Sequence, residues 1–188
     1  MPLTTAQIIT LKAAILAELD PVFVALRQAG ATGAMAKWFN VEASPDHLVW
    51  GTSVPVLAVN DAIDFASYTP NGTIDATAAV TNRLLGAQTK QMSLQLMLIG
   101  RESLNCSKVR VRGGLLDAVT NLPTGNNGAI QSAGGVDGAR VLNACTRPAT
   151  RGEQLFTLAA ATTGTVSAFR LTFEGALTNE DIVLALAA

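Results

Sequence analysis

His47 is the single histidine of the sequence, so any Ser–His–Asp or Cys–His device would have to be built on it. Its surroundings, "SPDHLVW", contain no nucleophile-elbow pattern such as GxSxG. An ordinary turn or surface imidazole is the simpler reading. Cys106 and Cys145 stand far apart in the chain, without CxxC spacing and without a neighbouring histidine. They read as two reduced, partly buried thiols of an intracellular protein. One histidine and two scattered cysteines fall short of a conventional zinc set. Asp61 and Asp64 would share a helix face, and paired acids can divide acid and base roles. Near a helix start they more simply complement the helix dipole. No GxxxxGK[ST] or GxGxxG precedes a helix, so nucleotide binding has no support. The expectation is a chain with no catalytic residues, no metal and no cofactor, and not an enzyme.

What remains is charge and apolar surface. Arg101, Lys108, Arg110 and Arg112 lie close together, and Arg140, Arg147 and Arg151 form a second group. Such groups can neutralise phosphates, but neither is interleaved with aromatics for base stacking. The net charge of −1 also argues against a dedicated nucleic-acid binder. A solvated face or a basic surface between subunits, or lining a channel, fits better. Residues 1–75 hold three basic and seven acidic groups, residues 76–151 nine and three, and residues 152–188 one and four. Segregation of this kind suits complementary faces of neighbouring copies, and equally neutralisation within one copy. Charged residues make up only 14% of the 188 residues against 49% hydrophobic, where an average soluble protein has about 25% charged. Burial against further copies is the natural remedy for so apolar a surface.

The elements that would carry these residues read as mainly α, a helical bundle-like body with an extended C-terminal segment and a short terminal helix. Thr4 with Gln7, Thr150 with Glu153 and Thr178 with Asp181 each have capping-box spacing. The first launches a helix with Ile8, Leu11, Ile15 and Leu19 on one face. Pro21 marks a break before a second short helical run through Val24 and Leu26, and "QAGATGAMAKWFN" reads as a turn into another short helix. "SPDHLVWGTSVPV" is an ordered connection anchored by Trp50, and "VPVLAVNDAIDFASY" resumes helix. "TPNGTIDA" is a loop. The longest helix spans 77–102, with Leu84, Leu85, Met92, Leu96 and Ile99 as a broad apolar face. Ser107 is placed to cap the next helix, "KVRVRGGLLDAVTNL". "PTGNNGAIQSAGG" is a second loop, and "VDGARVLNACTR" and "RGEQLFTLAAA" are further helices. In "VSAFRLTFEG", Val166, Ala168, Leu171 and Phe173 alternate with polar groups as a strand would, and Phe169 breaks the alternation. The expected division is a body over 1–161 and an arm with terminal helix over 162–188. No run of about 18 apolar residues suggests a membrane span.

Four stretches, "TTAQIITLKAAILAELDPVFVAL", "VWGTSVPV" leading to "AIDFASYT", "GRESLNCSKVRVRGGLLDAV", and "RPATRGEQLFT" through "FEGALTNEDI", resemble virion structural proteins of tailed bacteriophages. Within that group the layout is similar to head–tail adaptor (connector) proteins. The resemblance implies a homo-oligomeric ring, commonly a dodecamer, between portal and tail proteins. It would surround the DNA channel, with non-specific DNA contact, in the virion after assembly in the host cytoplasm. Val166, Phe169, Leu171 and Phe173 would belong to an arm reaching a neighbouring subunit. Rival readings are a capsid cement (decoration) or tail-terminator protein, and a small DNA-binding factor.

Overall fold

A computed structural model of the chain describes residues 2–43, 47–68, 78–124, 129–130 and 136–188. In chain order the elements are α1 (Thr5–Ala17), α2 (Pro21–Gln28), α3 (Thr32–Phe39), β1 (Leu48–Trp50), β2 (Val54–Pro55) and α4 (Val56–Ala62). A 3-10 turn (Phe65–Tyr68) follows, then α5 (Ala78–Leu98), β3 (Ser103–Leu104), α6 (Val109–Val119), β4 (Pro123–Thr124) and β5 (Ala129–Ile130). The chain closes with α7 (Val136–Ala144), β6 (Thr146–Pro148), α8 (Arg151–Gln154), β7 (Thr157–Thr163), β8 (Val166–Leu171) and α9 (Asn179–Ala187). The protein is mostly helical, with its strands mainly C-terminal and a short terminal helix, as expected from the sequence; the strands join a small mixed four-stranded sheet.

All three capping boxes form. The Gln7 amide donates to Thr4 Oγ1 at 3.3 Å while the Thr4 amide donates to Gln7 Oε1 at 2.8 Å, and Thr150/Glu153 and Thr178/Asp181 repeat the exchange. Each satisfies two amides that a helix start leaves without an intrahelical partner. Asp20 caps α2 by accepting from the Val22 amide at 2.8 Å, with Pro21 preset at the first helical position. Gly30, at φ 64°, takes the left-handed conformation that ends the second helix.

The chain folds into two compact units. The first comprises residues 1–49, 148–160 and 168–188. There α9 packs on α1 and α3, and Leu11, Ile15, Phe23, Met35, Phe39, Phe156, Leu177 and Ile182 form a buried core. Asn40 clamps the approach to α9 from both sides, donating to the Leu177 carbonyl at 2.9 Å and accepting from its amide at 2.8 Å. Arg27 reaches back to the C-terminal carbonyls of α1, Ile15 at 2.6 Å and Leu16 at 2.9 Å. The second unit comprises residues 50–147 and 161–167, where α6 packs on both α5 and α7, and α4 on α7. This division differs from the expected body and arm: residues 162–188 contribute to both units, and their terminal helix is built into a core.

The four-stranded sheet has the order β6-β1-β8-β7, with β1 and β8 parallel in the register Val49↔Phe169. The strands 48–50 and 54–55 occupy part of what the sequence offers only as an ordered connection; residues 44–46 lie outside the described residues. The helix expected over "RGEQLFTLAAA" lasts one turn, α8, and 157–163 is a strand. Alanine favours helix only weakly, by tenths of a kcal/mol per residue, and ladder bonds to β8 outweigh it here. Gly164, at φ 58°, supplies the tight turn between them. Ser107 does not cap α6: its hydroxyl bonds Asn105 Oδ1, and Lys108 stands at the cap position without a side-chain bond. The loops expected over 69–76 and within 123–135 fall largely outside the described residues; 123–124 and 129–130 form a short antiparallel pair.

Candidate functional site

The basic group at α6 separates on folding. Arg101, Lys108 and Arg110 are exposed, whereas Arg112 is 0% exposed. Helical spacing decides this: Arg112 shares the face of Leu115 and Val119, both buried. Its Nη1 donates to the carbonyls of Cys106 at 2.6 Å and Ser107 at 2.9 Å, its Nε donates to Thr163 Oγ1 at 3.0 Å, and its guanidinium lies 4.2 Å from the Trp50 ring centroid. A planar, weakly hydrated guanidinium can be buried in this way when carbonyls and a π face replace water. Arg112 is therefore a structural centre of its unit and leaves the surface group of which the sequence made it a member. In the second group, Arg140 Nη2 donates to the Asp61 carbonyl at 2.9 Å, and Arg151 stacks 4.0 Å from the Trp38 ring.

The cysteines, distant in sequence, are brought together: both are fully buried, with their side chains hydrogen-bonded. The bond pushes Cys145 well up as the proton holder and Cys106 down as the acceptor, with the Arg112 charge also lowering Cys106. Residues 39 positions apart carry no spacing signal for such a pair; tertiary packing brings the two buried thiols together. Among the described residues no cluster of three or more potential metal ligands occurs.

His47 stacks on Phe169, ring centroids 3.9 Å apart, and burial lowers its pKa below the ordinary imidazole value. Its Nε2 is buried and has no partner among the described residues. Asp64 caps its own turn, accepting from the Ala66 amide at 3.0 Å, and Asp61 presents its carbonyl to Arg140. Asp61 lies in the last turn of α4 and Asp64 beyond its end, so the two do not share a helix face or a helix start.

Val166, Phe169, Leu171 and Phe173 occupy the last strand and its exit. β8 lies between β1 and β7 within the chain, in register with β1 at Val49↔Phe169. Val166 is buried, and Phe173 meets Phe156 edge-on with centroids 5.4 Å apart. The sheet has two edges: β6, which carries Arg147 and Pro148, and the longer β7, whose Leu158, Ala159 and Ala160 are exposed.

The second open surface lies on α5. Leu85 is 56% exposed, Met92 61%, Leu96 67% and Ile99 74%, while Leu94 on the opposite side is 0%. A cavity of about 560 Å³ adjoins this stripe, lined by Val56, Asn60, Phe65, Leu94, Gln95, Leu98 and Ile99. The sequence pattern locates an apolar face on this helix but cannot say that it points outward. Leu84 belongs to that expected face, and its side chain lies outside the described residues. No helix among the described residues is long and apolar enough to cross a membrane. No family model matches the chain, and neither a curated protein nor a solved structure shows significant similarity to it.

Proposed function

We propose that the chain is a structural subunit of a tailed-bacteriophage virion, a head–tail adaptor that assembles as a ring between portal and tail around the DNA channel. The starting point is the resemblance of its four sequence stretches to virion structural proteins. The structural observation that supports it best is the edge strand β7. Natural edge strands are blunted by charge, proline or a cover. Residues 157–163, "TLAAATT", contain neither a charge nor a proline. Such an edge suits pairing with an extended segment of a neighbouring subunit or portal, where main-chain bonds give affinity and alternate side chains give specificity. Exposed Arg101, Lys108 and Arg110 supply positive charge for a channel wall or for an acidic neighbouring face.

Locating the chain in intact particles by electron microscopy tests the proposal. A closed ring at the portal–tail junction is expected, of roughly a dozen copies as the resemblance to adaptor proteins implies. Hundreds of copies across the capsid would replace this reading with a cement protein, and a position at the distal tail end with a terminator. Absence from the particle, together with steeply salt-dependent binding to free DNA, would favour the DNA-binding alternative. Truncation of 162–188 is the poorer test, because it removes Leu177, Ile182 and Ala185 from a buried core.

A further inference from the structure

We propose that α5 is a self-association helix, whose exposed stripe packs against the same helix of a second copy of this chain. The stripe consists of Leu85, Thr89, Met92, Leu96 and Ile99. Their spacing is four, three, four and three residues, the alternation by which paired helices keep one seam facing each other. Helical hydrogen bonding extends to Ile99, whose amide donates to the Gln95 carbonyl at 2.8 Å. The side of α5 already used is a different one, marked by the buried Ala87 and Leu94. A helix bound to its own core on one side thus presents a complete seam on the other.

Three details prepare that seam for burial. First, its hydroxyls are satisfied at home: Thr89 Oγ1 donates to the Leu85 carbonyl at 2.8 Å and Ser93 Oγ to the Thr89 carbonyl at 3.0 Å. Covering them costs no hydrogen bond. Second, the flanking positions are small or uncharged: Gly86 and Ser93 on one side, Gln88 and Gln95 on the other. Gly86 has open space where a side chain would stand, which lets a second backbone approach closely. Third, Lys90 is drawn off towards α6, where its ammonium bonds the Asp117 carbonyl and pairs with the Asp117 carboxylate at 3.1 Å. Between Leu85 and Ile99 no described charge therefore opposes two identical seams; exposed Arg101 and Glu102 follow at the end of the stripe.

The occupant follows from these features. A seam without flanking charges selects no oppositely charged partner, but it is self-complementary. With Phe65 at the rim of the adjoining cavity, the exposed apolar side chains present on the order of 500 Å² per chain. Two copies would bury about 1,000 Å², the lower bound for a specific interface and the size of a weak, concentration-dependent dimer. Such a contact is isologous and closes on itself as a pair, unlike the head-to-tail contact from which a cyclic ring is built. The inference does not depend on the virion reading, since it stands or falls on the mass of the purified chain.

Sedimentation of the purified full chain at about 100 µM should give a dimer or an even-numbered multiple. The double variant Leu96→Glu/Ile99→Glu should weaken association about 100-fold or more and leave the smaller species with unchanged helical circular dichroism. Met92 lies midway along the stripe and meets its own copy in either helix orientation. Met92→Cys should therefore give a covalent dimer under mild oxidation, whereas Glu180→Cys on α9 should not. A monomeric wild type, an unchanged mass in the double variant, or no cross-link through Met92→Cys would each overturn the proposal. The cross-linking result decides the matter even if the double variant fails to fold.

Discussion

Helices α5 and α6 pack on each other and reverse what their sequences suggest. The second, with "VRVR" near its start, buries a guanidinium completely, while the first leaves four large apolar side chains in solvent. Both outcomes follow from where each helix meets its neighbours. Arg112 points along the buried face of a helix held between two others, and two carbonyls, a hydroxyl and an indole ring replace its water. Leu96 and Ile99 lie on the side of α5 that no described element covers. A charge can thus organise an interior, and an apolar stripe can serve as an outer surface, when the partners on hand decide so.

The comparison predicts a steep gradient of stability effects. Arg112→Ala should be the most damaging, by about 4 kcal/mol, since it opens a cavity and leaves the Cys106 and Ser107 carbonyls without their donor. Denaturant unfolding measures this, and a loss below about 1 kcal/mol would show that the guanidinium is dispensable. Leu94→Ala should cost about 3 kcal/mol, because its side chain is fully buried. Two residues further on, Leu96→Glu should change the stability of the monomeric form by no more than about 0.5 kcal/mol. Equal effects at Leu94 and Leu96 would mean that the stripe is covered within the chain after all.

Local signals of the fold were legible with some precision. Thr4, Thr150 and Thr178 each declare a helix start because the capping exchange involves residues only three apart. Pro21 and Gly30 likewise act through their own backbone. The strand β7 was not legible, since "LAAATT" carries no strong intrinsic preference and becomes extended only when β8 returns beside it. The thiol pair of Cys106 and Cys145 and the burial of Arg112 were equally hidden, being products of helices packing across long sequence separations.

For the candidate surfaces the division is the same. Of the arm residues, Val166, Phe169 and Leu171 are in the extended strand and Phe173 lies past its end, but a period of two does not identify the neighbouring strand. The paired sheet makes β8 an inner strand and leaves β7, with β6, at an edge. Composition alone determined that this chain must manage a large apolar excess with few charges, and periodicity determined which helix carries an apolar face. Only the tertiary structure decided which face is already covered. Helix periodicity reports that residues share a side, whereas burial depends on what packs against that side, and that is a property of the whole chain.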